Sequence, residues 1–154
     1  MTEENTFFLL PSQIFVTSEN YKITTILGSC VAICLWDGVK KIGGMNHFLL
    51  PYWNGNGLAS PKYGSIAVEK LIARMIKEGS NIKNIKAKVF GGGYILGLDS
   101  SIFNIGKRNI AIAERLLTQY NIEIIAKSVG GKNGRKILFD TETGIVRQKL
   151  LQTK

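Results

Sequence analysis

The 154-residue sequence predicts an α/β (α+β) sandwich, in which mixed β-sheet layers pack with two main amphipathic helices. Three observations carry this. Strand-like segments occupy both ends of the chain, two helical apolar stripes lie between them, and Cys30 to Trp36 is continuously apolar, as in a strand buried on both faces. Each helix has to bury its stripe, and a sheet face is the available partner. With 45% hydrophobic residues, 20% charged residues and only 3 prolines, residues 1–154 read as one globular domain. A chain of this length buries roughly 70% of the surface that its unfolded form exposes, so the core needs no disulfide or metal staple.

The elements follow in order. Residues 12–17 and 21–27 are rich in β-branched and aromatic types and are separated by the turn-prone Ser18-Glu19-Asn20. The apolar run 30–36 leads into Asp37-Gly38, a strong turn signal, and a further strand spans about 41–50. Four strands thus open the chain. After Pro51 and the polar Asn54-Gly55-Asn56-Gly57 comes a helix whose residues Val68, Leu71, Ile72, Met75 and Ile76 share one face, with Gly79 as its stop. Residues 86–90 form a short strand running into Gly91-Gly92-Gly93, and a helix over 106–120 presents Ile112, Ala113, Leu116, Leu117 and Tyr120. Strands at 123–128, 135–140 and 145–150 close the chain, the last two joined through Glu142-Thr143-Gly144.

Composition excludes several function classes. Two cysteines are too few for a disulfide scaffold. Four steps along one strand would hold Cys30 and Cys34 about 13 Å apart, beyond the roughly 7 Å limit for bridging. Both are expected to be free thiols in a reducing compartment, the cytoplasm. The acidic Met1-Thr2-Glu3-Glu4 is unlike a signal peptide, and no apolar run approaches the about 18 residues of a membrane span, so no direct membrane insertion is expected. The net charge of +9 is lopsided: residues 1–60 hold 3 basic and 4 acidic side chains, residues 61–154 hold 17 and 7. The basic residues are scattered, without an aromatic-rich binding strand or zinc-ligand pattern, which argues against nucleic acid as the partner.

The chain has a single histidine, so any imidazole chemistry at neutral pH falls on His47. Cys30 follows Leu27-Gly28-Ser29, where a strand ends and Gly28 permits a sharp turn. A thiol there can be presented outward, with backbone N–H groups around Ser29 free to face a developing oxyanion. A free cysteine, with a pKa of about 8.5, becomes a competent nucleophile beside an imidazole. A hairpin through Asp37-Gly38 would bring His47 alongside Cys30. A third group must fix the imidazole tautomer, and Thr24 or Thr25 could do so; they point to opposite faces of a strand, so only one can serve. The bland readings are a small buried cysteine and a satisfied structural histidine. Gly91-Gly92-Gly93 lacks the lysine and hydroxyl residue of a phosphate loop, and Asp99, Asp140 and Glu142 show no metal-ligand spacing with His47 or the cysteines, so neither a metal nor an organic cofactor is expected.

The successive motifs Leu27-Gly28-Ser29-Cys30-Val31-Ala32, Gly43-Gly44-Met45-Asn46-His47-Phe48-Leu49-Leu50-Pro51, Lys62-Tyr63-Gly64, Ala87-Lys88-Val89-Phe90-Gly91-Gly92, Asn104-Ile105-Gly106-Lys107-Arg108-Asn109, Gly130-Gly131 and Gly134-Arg135-Lys136 resemble, in order and over nearly the whole chain, the CheD family of chemoreceptor glutamine deamidases. The resemblance implies a cysteine hydrolase that converts glutamine to glutamate on methyl-accepting chemotaxis proteins, with a sandwich fold similar to that of bacterial deamidase toxins. It places the nucleophile on Cys30, the general base on His47 and the histidine-orienting threonine on Thr24, six residues before the cysteine. It implies a CheC-type phosphatase as a partner. The competing reading is a non-enzymatic adaptor that binds chemoreceptors and CheC. The chain departs from the family pattern at Gly93, where alanine is usual, and at Ser128, where aspartate is expected.

Overall fold

A computed structural model describes residues 4–94 and 104–152; Met1–Glu3 and Asp99, which enter the sequence reading, lie outside them. Among the described residues, nine strands and two helices follow one another as β1 (Thr6–Phe8), β2 (Ile14–Thr17), β3 (Lys22–Leu27), β4 (Val31–Asp37), β5 (Ile42–Asn46), α1 (Gly64–Glu78), β6 (Ile85–Gly91), α2 (Ile105–Gln119), β7 (Glu123–Val129), β8 (Gly134–Asp140) and β9 (Val146–Leu151), with a 3₁₀ turn at Ile82–Asn84. They form a four-stranded sheet of order β1-β3-β8-β9 and a five-stranded sheet of order β2-β5-β4-β6-β7. The α+β sandwich expected from the sequence is the observed architecture.

Two apolar layers explain the stacking. Val31, Ile33 and Leu35 of β4 face one way and join Leu71, Met75, Ile112 and Leu117 of the helices. Ala32 and Cys34 face the other way and meet Ile23, Leu27, Ile137 and Phe139 of the four-stranded sheet. The molecule is therefore a helix layer, a five-stranded sheet and a four-stranded sheet, with β4 central. That is why β4 is apolar at consecutive positions rather than alternating.

The helix stripes fall where their periodicity puts them, except that Ile76 is 46% exposed at the end of α1. Gly79 terminates that helix in the left-handed region, its N–H returning to the carbonyls of Met75 and Ile76. The reading of four opening strands is corrected to five. β1 is only three residues long and pairs in parallel with β3. The strand placed at 41–50 ends at Asn46, and beyond it Phe48 and Leu50 make only isolated bridges, to Val31 and Tyr63.

One end of the sandwich gathers the loops that matter. Gly91 ends β6 at φ +106°, and a Cβ there would lie 2.2 Å from the carbonyl oxygen of Cys30, so no other residue allows β6 to run this close to the thiol's loop. Gly106 opens α2 against the same turn, where a Cβ would sit 2.5 and 2.6 Å from the carbonyl oxygens of Gly92 and Gly93. The first turn of α2 is thus seated directly on the glycine loop.

Candidate active site

Cys30 lies in the short connection between β3 and β4, and His47 immediately follows β5. β4 and β5 are antiparallel, pairing Cys34 with Met45 and, at the far end, Val31 with Phe48. Continuing that register sets Ala32 opposite His47 and Cys30 opposite Leu49. Cys30 and His47 are then diagonal neighbours on one face. That face looks toward the four-stranded sheet: half-buried Cys30 packs against the cluster between the sheets, and His47 reaches across to β3.

The partner across the gap is Thr25, fully buried, with Oγ1 2.7 Å from His47 Nδ1. This corrects the expectation of Thr24. Along β3 the side chains of Ile23, Thr25 and Leu27 point inward and are buried, whereas Ile26 is 47% exposed and Thr24 shares its outward face. A residue on that face cannot reach an imidazole on the other sheet.

The hydrogen bonds fix the imidazole's proton. Thr25 Oγ1 also lies 2.7 Å from the carbonyl oxygen of Leu9, and a carbonyl can only accept. The single hydroxyl hydrogen goes to Leu9, so Oγ1 must accept from His47, whose Nδ1 carries the proton. Nε2 is left as the bare, basic nitrogen. It is buried and has no hydrogen-bond partner among the described residues. Burial also holds the His47 pKa down to about 4, so the ring is neutral at physiological pH.

Burial raises the Cys30 thiol pKa, while its own backbone N–H acts more weakly in the opposite direction. The resting pair is accordingly thiol and imidazole rather than thiolate and imidazolium. Cys34 is 1% exposed, lies on β4 inside the sandwich, and has its pKa raised far more by burial. Both thiols are free, as expected.

Among the described residues, the loop of Gly28, Ser29 and Cys30 is hydrogen-bonded through its carbonyls. Gly93 N–H donates to Gly28, Asn109 Nδ2 to Ser29 and Gly92 N–H to Cys30, at 2.8, 3.1 and 2.8 Å. A trans peptide points its N–H opposite to its C=O, so the N–H groups of Ser29 and Cys30 face away from these anchors. Among the described residues no acceptor engages either one. Thiol, free imidazole nitrogen and unpaired amide donors are the parts of an acyl-transfer site. No group of three or more possible metal-ligating side chains occurs among the described residues.

Sequence reasoning did not single out three contributors. The Leu9 carbonyl is a backbone group beside a strand too short to see. Asn109 is fully buried on α2, and its signal is legible in hindsight: it stands three and four residues before Ile112 and Ala113, a carboxamide on the buried stripe. Its Oδ1 has no partner among the described residues. Arg135, 3% exposed, donates to the carbonyls of Ser128 and Gly130 and pins the loop beside Gly93. The two departures have local accommodations. Ser128 Oγ accepts from Arg135 and from Gln148. At Gly93 a Cβ would fit tightly, 3.1 Å from the carbonyl oxygens of Gly28 and Asn133.

The chain is 49% identical over 140 residues to a probable chemoreceptor glutamine deamidase CheD of Trichlorobacter lovleyi, covering 91% of this chain and 87% of that one. It is 44% identical over 151 residues to a protein of the same description from Sulfurimonas denitrificans, covering 94% of each. A solved Neisseria meningitidis protein of the DUF152 family superposes with a TM-score of 0.49 at 10% identity, over 83% of this chain and 63% of its own. Residues 49–150 match the family model described as CheD chemotactic sensory transduction, and this protein belongs to the CheD family.

Proposed function

We propose that this protein hydrolyses the side-chain amide of selected glutamines on chemoreceptors, giving glutamate and ammonia. Cys30 is the nucleophile, His47 the general base and acid, and Thr25 the group that orients the imidazole. The observation that carries the reading is the Leu9–Thr25–His47 chain, which leaves His47 Nε2 unprotonated on the face that Cys30 shares.

In the first step the Cys30 thiol proton passes to Nε2 as sulfur bonds to the carboxamide carbon. The oxyanion forms against the N–H groups of Ser29 and Cys30, with Gly28 supplying the turn. Nε2–H then protonates the amide nitrogen, the C–N bond breaks and ammonia leaves a thioester on Cys30. Water gives a proton to Nε2 and its oxygen to the acyl carbon, and the C–S bond breaks to release glutamate and restore the thiol. Every step uses groups of this chain and water.

The chemoreceptor substrate is supported by the descriptions of the relatives. A CheC-type phosphatase as regulatory partner and a cytoplasmic location belong to the same reading. No helix among the described residues is long and apolar enough to cross a membrane, and both cysteines are free.

The test is ammonia release from a glutamine-containing cytoplasmic fragment of a chemoreceptor. Cys30→Ala abolishes release with the fold retained, and Cys34→Ala keeps it. Equal loss from both variants refutes the assignment of the nucleophile, and a wild type that binds the fragment without releasing ammonia favours the adaptor reading.

A further inference from the structure

We infer that Asn109 is a positioning residue for this chemistry: its carboxamide locks the loop bearing Cys30 to the loop bearing His47 and aims the Cys30 N–H at the oxyanion. The inference rests on the proposed roles of Cys30 and His47.

The β4–β5 pairing ends with the reciprocal bonds between Val31 and Phe48. Beyond that point Asn109 Nδ2 is inserted between the two chains. It donates to the Ser29 carbonyl at 3.1 Å, one residue before the thiol, and to the Leu49 carbonyl at 2.9 Å, two residues after the imidazole. A side-chain amide replaces a rung of the ladder where the chains separate.

The Ser29 contact has a second consequence. Ser29 C=O and Cys30 N–H belong to one planar trans peptide, so holding the carbonyl toward α2 turns the Cys30 N–H the opposite way. The position also selects its residue type. Both amide hydrogens of the fully buried Asn109 are used, while Oδ1 meets no partner among the described residues. Two donors on one small planar group are what the site exploits. Aspartate has the same size and no donor, serine offers one, and alanine none. The helix is a firm base, because Gly106, one turn earlier, is seated on the carbonyls of Gly92 and Gly93.

The experiment compares wild type, Asn109→Ala and Asn109→Ser by thermal melting, by kcat and KM for deamidation of the chemoreceptor fragment, and by the rate of Cys30 alkylation with iodoacetamide in a Cys34→Ala background. Loss of a positioned oxyanion donor and a displaced thiol predicts a kcat about 10²-fold lower for Asn109→Ala, with KM within about threefold. Cys30 alkylation slows several-fold, and Asn109→Ser recovers part of both. The inference is overturned if folded Asn109→Ala keeps kcat within about twofold of wild type, if its Cys30 alkylates at the wild-type rate, or if neither variant folds, since Asn109 is then a framework residue. Iodoacetamide needs no protein substrate. Should the wild type release no ammonia, the deamidase reading fails by itself and the alkylation rates still judge Asn109.

Discussion

At Thr25 a single hydroxyl hydrogen decides the chemistry, because the Leu9 carbonyl takes it and His47 Nδ1 has to supply its own. Thr25→Val removes both bonds and frees the ring to rotate or change tautomer, so kcat falls by about 10²–10⁴-fold, the range of a general base. Thr25→Ser keeps the hydroxyl and most of the activity, and Thr24→Val, on the outer face of β3, stays within about threefold of wild type. Steady-state rates on the four proteins check this. The pH profile follows from the same residues. With His47 held to about 4 and the Cys30 thiol raised, kcat/KM is flat across neutral pH. It falls on the acid side as His47 protonates near pH 4 rather than near 6.5, and on the alkaline side only when Cys30 ionises. An acid limb centred at 6.5 contradicts the neutral pair. Cys30 and His47 were legible as residue types, since the chain offers one imidazole and one thiol at a turn. The threonine was not: alternation showed that only one of the pair could serve, but which one depends on the orientation of β3 in the sandwich. Family spacing pointed to Thr24, whose side chain faces outward.

At the scale of elements, α2 and the glycine loop form one unit. Gly106→Ala introduces a Cβ about 1 Å too close to two backbone carbonyls, which cannot swing away as a side chain does. The first turn of α2 must lift from Gly92 and Gly93, a strain of about 1–3 kcal/mol. Because Asn109 rides on that turn, the variant melts lower and also loses kcat, whereas Gly55→Ala, strained only by its φ of +88° in a surface turn with nothing within 4 Å, melts lower but leaves kcat unchanged. Melting curves and kcat for the two variants separate the effects. Both helices and the doubly buried β4 were readable because their apolar periods extend over many residues. β1 was not, since three residues carry no period and its parallel pairing with β3 is a long-range choice. Its neighbour Leu9 nevertheless sets the histidine tautomer, so a structural contact invisible to local patterning governs a functional one.

Across the whole molecule, the site sits where the two sheets and α2 converge, and its parts come from five separate stretches of chain. This explains why an imidazole is buried against its preference for the charged form in acid. The folded-state pKa of His47 is below its unfolded value, so the unfolded chain binds the proton more readily between about pH 6.5 and 4. The stability this residue leaves intact above pH 6.5 is lost progressively as pH falls through that window, by about 3 kcal/mol in total. His47→Gln removes the titration, and its melting temperature declines less steeply than that of wild type from pH 7 to 5. The layer order was legible in outline from strands at both ends and helices between, but the partition into two sheets was not. That division is set by which faces of β3, β4 and β8 meet. The proposed function depends on Cys30 attacking a glutamine amide with His47 as its base. Peptide mass spectrometry of a chemoreceptor fragment incubated with wild type, Cys30→Ala and His47→Gln tests it most directly. A gain of about 1 Da is expected at particular glutamines with wild type alone, as amide becomes carboxylate; the same gain with Cys30→Ala contradicts the assignment of the nucleophile.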